Sequence, residues 1–175
     1  DDAAHKLIDD LRRVRTPLPA GGFEETLGAS LEPVQLQVVC RRLWESIDPA
    51  ATAITLADVE RMSDVDQSLR TYYADEVKEA AEAGAIRERT LRDWIDRRLM
   101  AASGLRNQVM LAGDDDRQIR QALASLVNGH LVRAEQRRGV TWYELAHDRL
   151  IEPVRTDNRE WRLANLSLLQ RQAVL

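Results

Sequence analysis

The chain is short of most of the residues that chemistry uses. Of its 175 residues one is cysteine, one is phenylalanine and three are histidine, and aromatics make up 5%. A single thiol, Cys40, excludes an internal disulfide and any metal site built from thiolates alone, and it fits a reducing, cytoplasmic setting. No apolar run approaches the roughly 18 residues of a membrane span, so no membrane association is expected. The opening, DDAAHKLIDDLRR, lacks the basic and apolar regions of a signal peptide. It also lacks an initiator methionine, and LLQRQAVL ends without a stop signal, so the chain reads as a fragment of something longer.

Excess of one charge is missing too. Lysine and arginine number 25 against 29 acids, a formal net charge of −4. A general nucleic-acid binder carries a basic footprint, so nucleic acid is not an expected partner, although a local basic patch remains compatible with the balance. Familiar catalytic signatures are absent. There is no G-x-x-x-x-G-K-[ST], no G-x-S-x-G and no H-E-x-x-H, and His5, His130 and His147 fall far apart without metal-ligand spacing.

What is present is enough for a core: 44% of residues are hydrophobic and 31% charged. Leu7, Ile8, Leu11 and Val14 recur at helical spacing, and PLPAGGFEETLGAS follows as a loop. In EPVQLQVVCRRLWESI, Ser30 is a cap candidate and Pro33 suits the first turn. Leu36, Val39, Cys40, Leu43 and Trp44 form the apolar stripe of a helix, with Cys40 as a small buried hydrophobe on it. Thr55 to Asp58 reads as a capping box for a short helix. Ser63–Asp64 then caps a longer one ending at Gly84, with Tyr72 and Tyr73 as packing residues.

From Arg87 the order becomes helix, strand, helix, strand, strand, helix. Leu91, Trp94, Ile95, Leu99 and Ala102 share one face, and LRNQVML holds a short strand. Asp114–Asp116 read as the acidic start of a helix whose stripe is Ile119, Leu123, Leu126 and Val127. HLVRAEQ and VTWYEL are joined through Arg137-Arg138-Gly139 as a hairpin. Pro153 either kinks the last helix or marks a short turn ahead of a second one. The expected fold is therefore mainly α: a helical domain over 1–86, with residues 1–30 partly loop, and a winged-helix (α+β) domain over 87–175 with a small antiparallel hairpin and a C-terminal helical extension.

Two features stand out chemically. Arg133, Arg137 and Arg138 make a basic hairpin tip, a wing that could reach DNA phosphates, which keeps a winged-helix DNA-binding regulator as the alternative. The helix that would enter the groove is poor in base readers and stands behind three aspartates. The second feature is YELAHDRL, residues 143–150, which sets His147–Asp148 where a strand gives way to a helix. A helix start exposes N–H groups and partial positive charge, so a histidine there can donate to a phosphate while Asp148 caps the helix. A packing or capping role for His147 accounts for the spacing equally well.

The segment LVRAEQRRGVTWYELAHDRLIEPVRTDNREW resembles the winged-helix region of bacterial STAND-class NTPases. EPVQLQVVCRRLW and ITLADVERMSDVDQSLRTYYADEV look like the helical segment that precedes it in the novel STAND group. The likeness runs from about Leu31 to the end, where LSLLQRQAVL looks like the junction to WD or other sensor repeats. In that class a Met-His-Asp motif lets its histidine contact the β-phosphate of ADP. The matching residues here are Ala146, His147 and Asp148, and Ala146 departs from the methionine. The resemblance implies a non-enzymatic regulatory module in which His147 senses the nucleotide state, Asp148 caps the supporting helix, and ADP latches the protein closed. It also implies an upstream NTPase core that binds ADP or ATP with Mg, downstream sensor repeats, and homo-oligomerisation on activation. No cofactor is expected in this segment itself.

Overall fold

A computed structural model describes residues 2–17, 23–31, 33–61, 65–111 and 117–166. It is mainly helical, with a two-stranded hairpin near the start and a three-stranded antiparallel sheet in the second half. Two compact units divide at Leu69–Arg70. The division falls within a continuous helix, α4 (Val65–Ala83), rather than at 86/87 as the change of sequence pattern implied. The reason lies in the side chains of α4 beyond residue 70: Tyr72 and Tyr73 engage residues far along the chain, as described below, so this stretch belongs with the second half.

In the first unit α1 (Asp2–Arg12) stops two residues short of Val14. Backbone pairing takes over: β1 (Arg13–Pro17) lies antiparallel to β2 (Phe23–Leu27), in register from Arg13↔Leu27 to Pro17↔Phe23. The expected loop over 17–30 is thus partly a strand. The hairpin base is closed by the Gly28 N–H on the Arg12 carbonyl and by Arg12 Nε on the Gly28 carbonyl, each at 2.7 Å. Asp10, almost buried, is compensated by Lys6 at 2.6 Å and Arg13 at 3.2 Å, as a carboxylate taken from water requires.

Helix α2 (Pro33–Ser46) opens on Pro33, whose missing N–H has no intrahelical partner to lose. Its inward face carries Gln35, Val38, Val39 and Leu43. At about 100° per residue, this face is turned roughly a quarter turn from the expected stripe. Cys40 is exposed rather than buried, and Trp44 is 77% exposed. What burial the Cys40 sulfur has pushes its pKa up, so the site gives no activated thiolate. Helix α3 (Leu56–Arg61) begins with the expected capping box. The Thr55 N–H donates to Asp58 Oδ2 at 2.9 Å and the Asp58 N–H to Thr55 Oγ1 at 3.3 Å. The hydrogen bonds from Thr55 hold the Asp58 carboxyl below its ordinary pKa. Ala3, Leu43 and Val59, with Leu7 and Ile47 against them, form the small core of α1, α2 and α3. The proposed cap Ser63–Asp64 and the acidic run Asp114–Asp116 lie outside the described residues.

The second unit contains α5 (Glu88–Arg98), β3 (Val109–Met110), α6 (Arg117–Asn128), β4 (Val132–Arg137), β5 (Val140–Leu145) and α7 (Ile151–Ala164). The sheet order is β3-β5-β4. The β4–β5 turn has Arg138 at φ 49° and Gly139 at φ 80°, the doubly left-handed conformation that a two-residue hairpin needs. A single 3-10 turn, Asp148–Leu150, precedes α7, so Pro153 sits in the first turn of the second segment, where its lost N–H costs nothing.

Helices α4 and α6 meet at their glycines. A β-carbon on Gly84 would lie 2.6 Å from the Gln118 carbonyl oxygen, and one on Gly129 would collide with the Glu76 carboxylate. Tyr72 closes the second approach by donating to the Gly129 carbonyl at 2.5 Å. Gly84 is therefore selected by proximity. The left-handed residue that ends α4 is Ala85 (φ 50°), and His130 (φ 57°) serves α6 in the same way. Each helix end carries the paired backbone bonds of a Schellman motif, from Ile86 to Ala81 and from Leu131 to Leu126.

Buried Arg92 ties α4, α5 and α7 together. Its guanidinium is flanked by the rings of Tyr73 and Trp161 at 5.3 and 5.1 Å. It donates to Glu88 (2.8 Å), Asp157 (2.6 Å) and Asn158 Oδ1 (2.8 Å). Tyr73 also donates to Asn158 Oδ1, and Asn158 Nδ2 donates to Asp96, so the fully buried amide uses both acceptor sites and one donor. Burial pushes the Tyr73 phenol far up, keeping it a donor.

Candidate functional site

Strand β5 delivers YELAHDRL to the edge of α7. The Ala146 N–H donates to the Leu131 carbonyl at 2.9 Å, which fastens the end of β5 beside the end of β4. His147 follows in extended conformation (φ −150°, ψ 149°), and the chain turns at once into the 3-10 segment.

Of the two expected caps, the structure uses His147, the capping role that the spacing left open for it. His147, not Asp148, occupies the N-cap: its Nδ1 accepts the Arg149 N–H at 3.1 Å, and its carbonyl accepts the Leu150 N–H at 3.2 Å. Asp148 is already the first residue of the turn, one position past the cap it was expected to occupy. It pairs instead with Arg106 Nε at 2.6 Å, with its own side chain 63% exposed. A neutral imidazole whose Nδ1 accepts carries its proton on Nε2. With Nδ1 accepting the Arg149 N–H, the donor atom of the half-buried His147 ring is Nε2.

Arg106, between α5 and β3, is the site residue that sequence reasoning missed. Its Nη1 also reaches the carbonyls of Leu145 (3.1 Å) and Ala146 (3.5 Å). Nothing local marks it, because its partners lie about 40 positions away.

The basic hairpin tip is largely neutralised. Arg133 pairs with Glu144, and Arg137 pairs with Glu135 at 2.6 Å and reaches Gln108 at 3.3 Å. Burial alone would raise the Glu144 pKa. Hydrogen bonds from Gln108 and Arg133, with the charges of Arg133 and Arg106, outweigh it and hold the carboxyl low. The bond and charge of Arg137 likewise lower Glu135, and Glu135 raises Arg137. Arg138 alone of the three makes no ion pair among the described residues. On α6, Gln118 is committed to the Ala85 carbonyl and Arg120 to the Leu111 carbonyl. The structure brings Arg133 and Arg137 into one charge network with Glu144. It gives His147 and Asp148 a different partner, Arg106.

Among the described residues no group of histidine, cysteine and acids could hold a metal ion, and no helix is long and apolar enough to cross a membrane. Compared with models of protein families, with curated proteins and with solved structures, the chain matches none.

Proposed function

We propose that this chain is the helical and winged-helix part of a STAND-class NTPase, a non-catalytic module that senses nucleotide state through His147. The observation that carries the reading is the imidazole seated at the end of β5, with Nδ1 engaged by the Arg149 N–H. That bond orients the ring and makes Nε2 its donor atom, the kind of group from which a phosphate oxygen accepts. The order α5, β3, α6, β4, β5, α7 with sheet order β3-β5-β4 supports a winged-helix arrangement. This segment supplies one donor and no phosphate-cradling loop, so ADP or ATP would be held chiefly by an upstream NTPase core of the same protein, with Mg bound there. His147 would favour the ADP-bound, closed state. A contact worth a few kcal/mol is enough to move a two-state population. Its release would free the module for homo-oligomerisation, under the control of downstream sensor repeats and in the cytoplasm.

DNA binding is the weaker reading, because Arg133 and Arg137 are already paired with carboxylates and the α6 side chains Gln118 and Arg120 with backbone carbonyls. Fluorescence anisotropy with a labelled duplex separates the two. The sensor reading expects no salt-dependent binding by the 175-residue chain, and a steep salt dependence lost on Arg138→Ala would favour DNA.

A further inference from the structure

The turn that carries His147 is held from outside. Three acceptors on the two sides of the histidine, the carbonyls of Leu145 and Ala146 and the carboxylate of Asp148, converge on one guanidinium, that of Arg106. We propose that Arg106 is the positioning residue for His147: it holds the turn closed so that Nδ1 stays on the Arg149 N–H and the ring keeps its orientation. The bearing of this on nucleotide rests on the sensor reading above; the positioning itself rests on geometry.

Arg106 is itself well anchored. It bridges to Met100, the Ala101 N–H donates to the Leu105 carbonyl, and the Asn107 N–H donates to the Leu99 carbonyl, both at 2.9 Å. The guanidinium is a rigid planar fork, so the acceptors it grips are held at a set spacing from one another. The ion pair with Asp148 is the lesser part, because an exposed pair contributes little. The carbonyl contacts at the end of β5 do what charge alone cannot: they set where the strand stops and the turn starts. Asp148 then serves to hold Arg106 in place, which explains an aspartate that does not cap.

The test is amide hydrogen exchange by NMR on the 175-residue chain. Arg106→Gln and Arg106→Lys are compared with Asp148→Asn, which keeps an acceptor oxygen. Both Arg106 variants should speed exchange of the Arg149 amide by at least about tenfold and shift the His147 Nδ1 resonance, while the amide of Ile95, buried within α5, stays as protected as in the wild type. Asp148→Asn should change Arg149 little. An unchanged Arg149 amide in a folded Arg106→Gln, or full protection in Arg106→Lys, overturns the proposal. Collapse of the whole fold also overturns it, since the assignment is to one turn and not to the core. A parallel measurement of nucleotide retained by the longer protein separates the two ideas. If His147→Ala alters retention but Arg106→Gln alters neither retention nor exchange, the positioning role fails and the sensor reading stands. If exchange responds and neither variant alters retention, Arg106 does position His147, but the sensor reading fails.

Discussion

The side-chain oxygen of Asn158 accepts hydrogen bonds from Arg92 and from Tyr73, each at 2.8 Å, at a point where all three residues are buried. One amide from α7 thus satisfies a guanidinium from α5 and a phenol from α4. A charge removed from water is tolerated only when its donors are met, and here they are.

Truncating that amide should be expensive. Asn158→Ala leaves Arg92 and Tyr73 each short of an acceptor in a fully buried site. A loss of about 2–3 kcal/mol is expected, read from urea denaturation followed by circular dichroism. A loss below a few tenths of a kcal/mol would mean that the neighbouring Asp157 and Glu88 suffice.

The glycines at the α4–α6 contact should respond unequally. Gly84→Ala drives a β-carbon against a backbone oxygen, which cannot swing away, and should destabilise by about 1–3 kcal/mol. Gly129→Ala meets the end of the Glu76 side chain, which can, and should cost clearly less. Ala85→Gly should stabilise by about 0.5–1 kcal/mol, since the left-handed conformation costs alanine more than ordering costs glycine. Thermal melts of the three variants check the order.

Acid should loosen the β4–β5 hairpin. The Glu144 carboxyl is held below its ordinary value of 4.5, so its contribution to stability is complete above that value and is lost as the pH falls through the lower, folded one. Glu144→Gln should therefore remove part of the acid limb of a stability–pH profile and leave the slope above pH 6 unchanged. A profile identical to wild type below pH 4.5 would count against the pairing with Arg133 and Gln108.

Local chemistry was the legible part of this sequence. The Thr55–Asp58 box, the Arg138–Gly139 turn and the short segment before Pro153 each follow from residues within a few positions of one another, and each is present. Non-local balance was not legible. Helix α1 yields at Arg13 because a strand partner ten or more residues away captures the backbone. The face of α2 turned because Gln35 is buried while Trp44 is not, which apolar periodicity reads in reverse. Nothing in the sequence marks Arg92 as buried, because the Asp157 and Asn158 that meet it come from α7. The same limit applied at the candidate site. HD at a strand–helix junction was visible, but which of the two caps depended on Arg106, a residue that only the fold brings near.

His147 remains the point on which the functional account turns, and nucleotide retention tests it most directly. The protein the proposal calls for, this chain joined to an upstream NTPase core, would be purified as wild type and His147→Ala and denatured, and the released nucleotide separated by chromatography. The account predicts ADP retained by the wild type, and ADP lost or exchanged at least about tenfold faster in the variant, a difference of roughly 1.4 kcal/mol. Equal ADP content and equal exchange in the two proteins would contradict it and leave His147 as the cap of a turn.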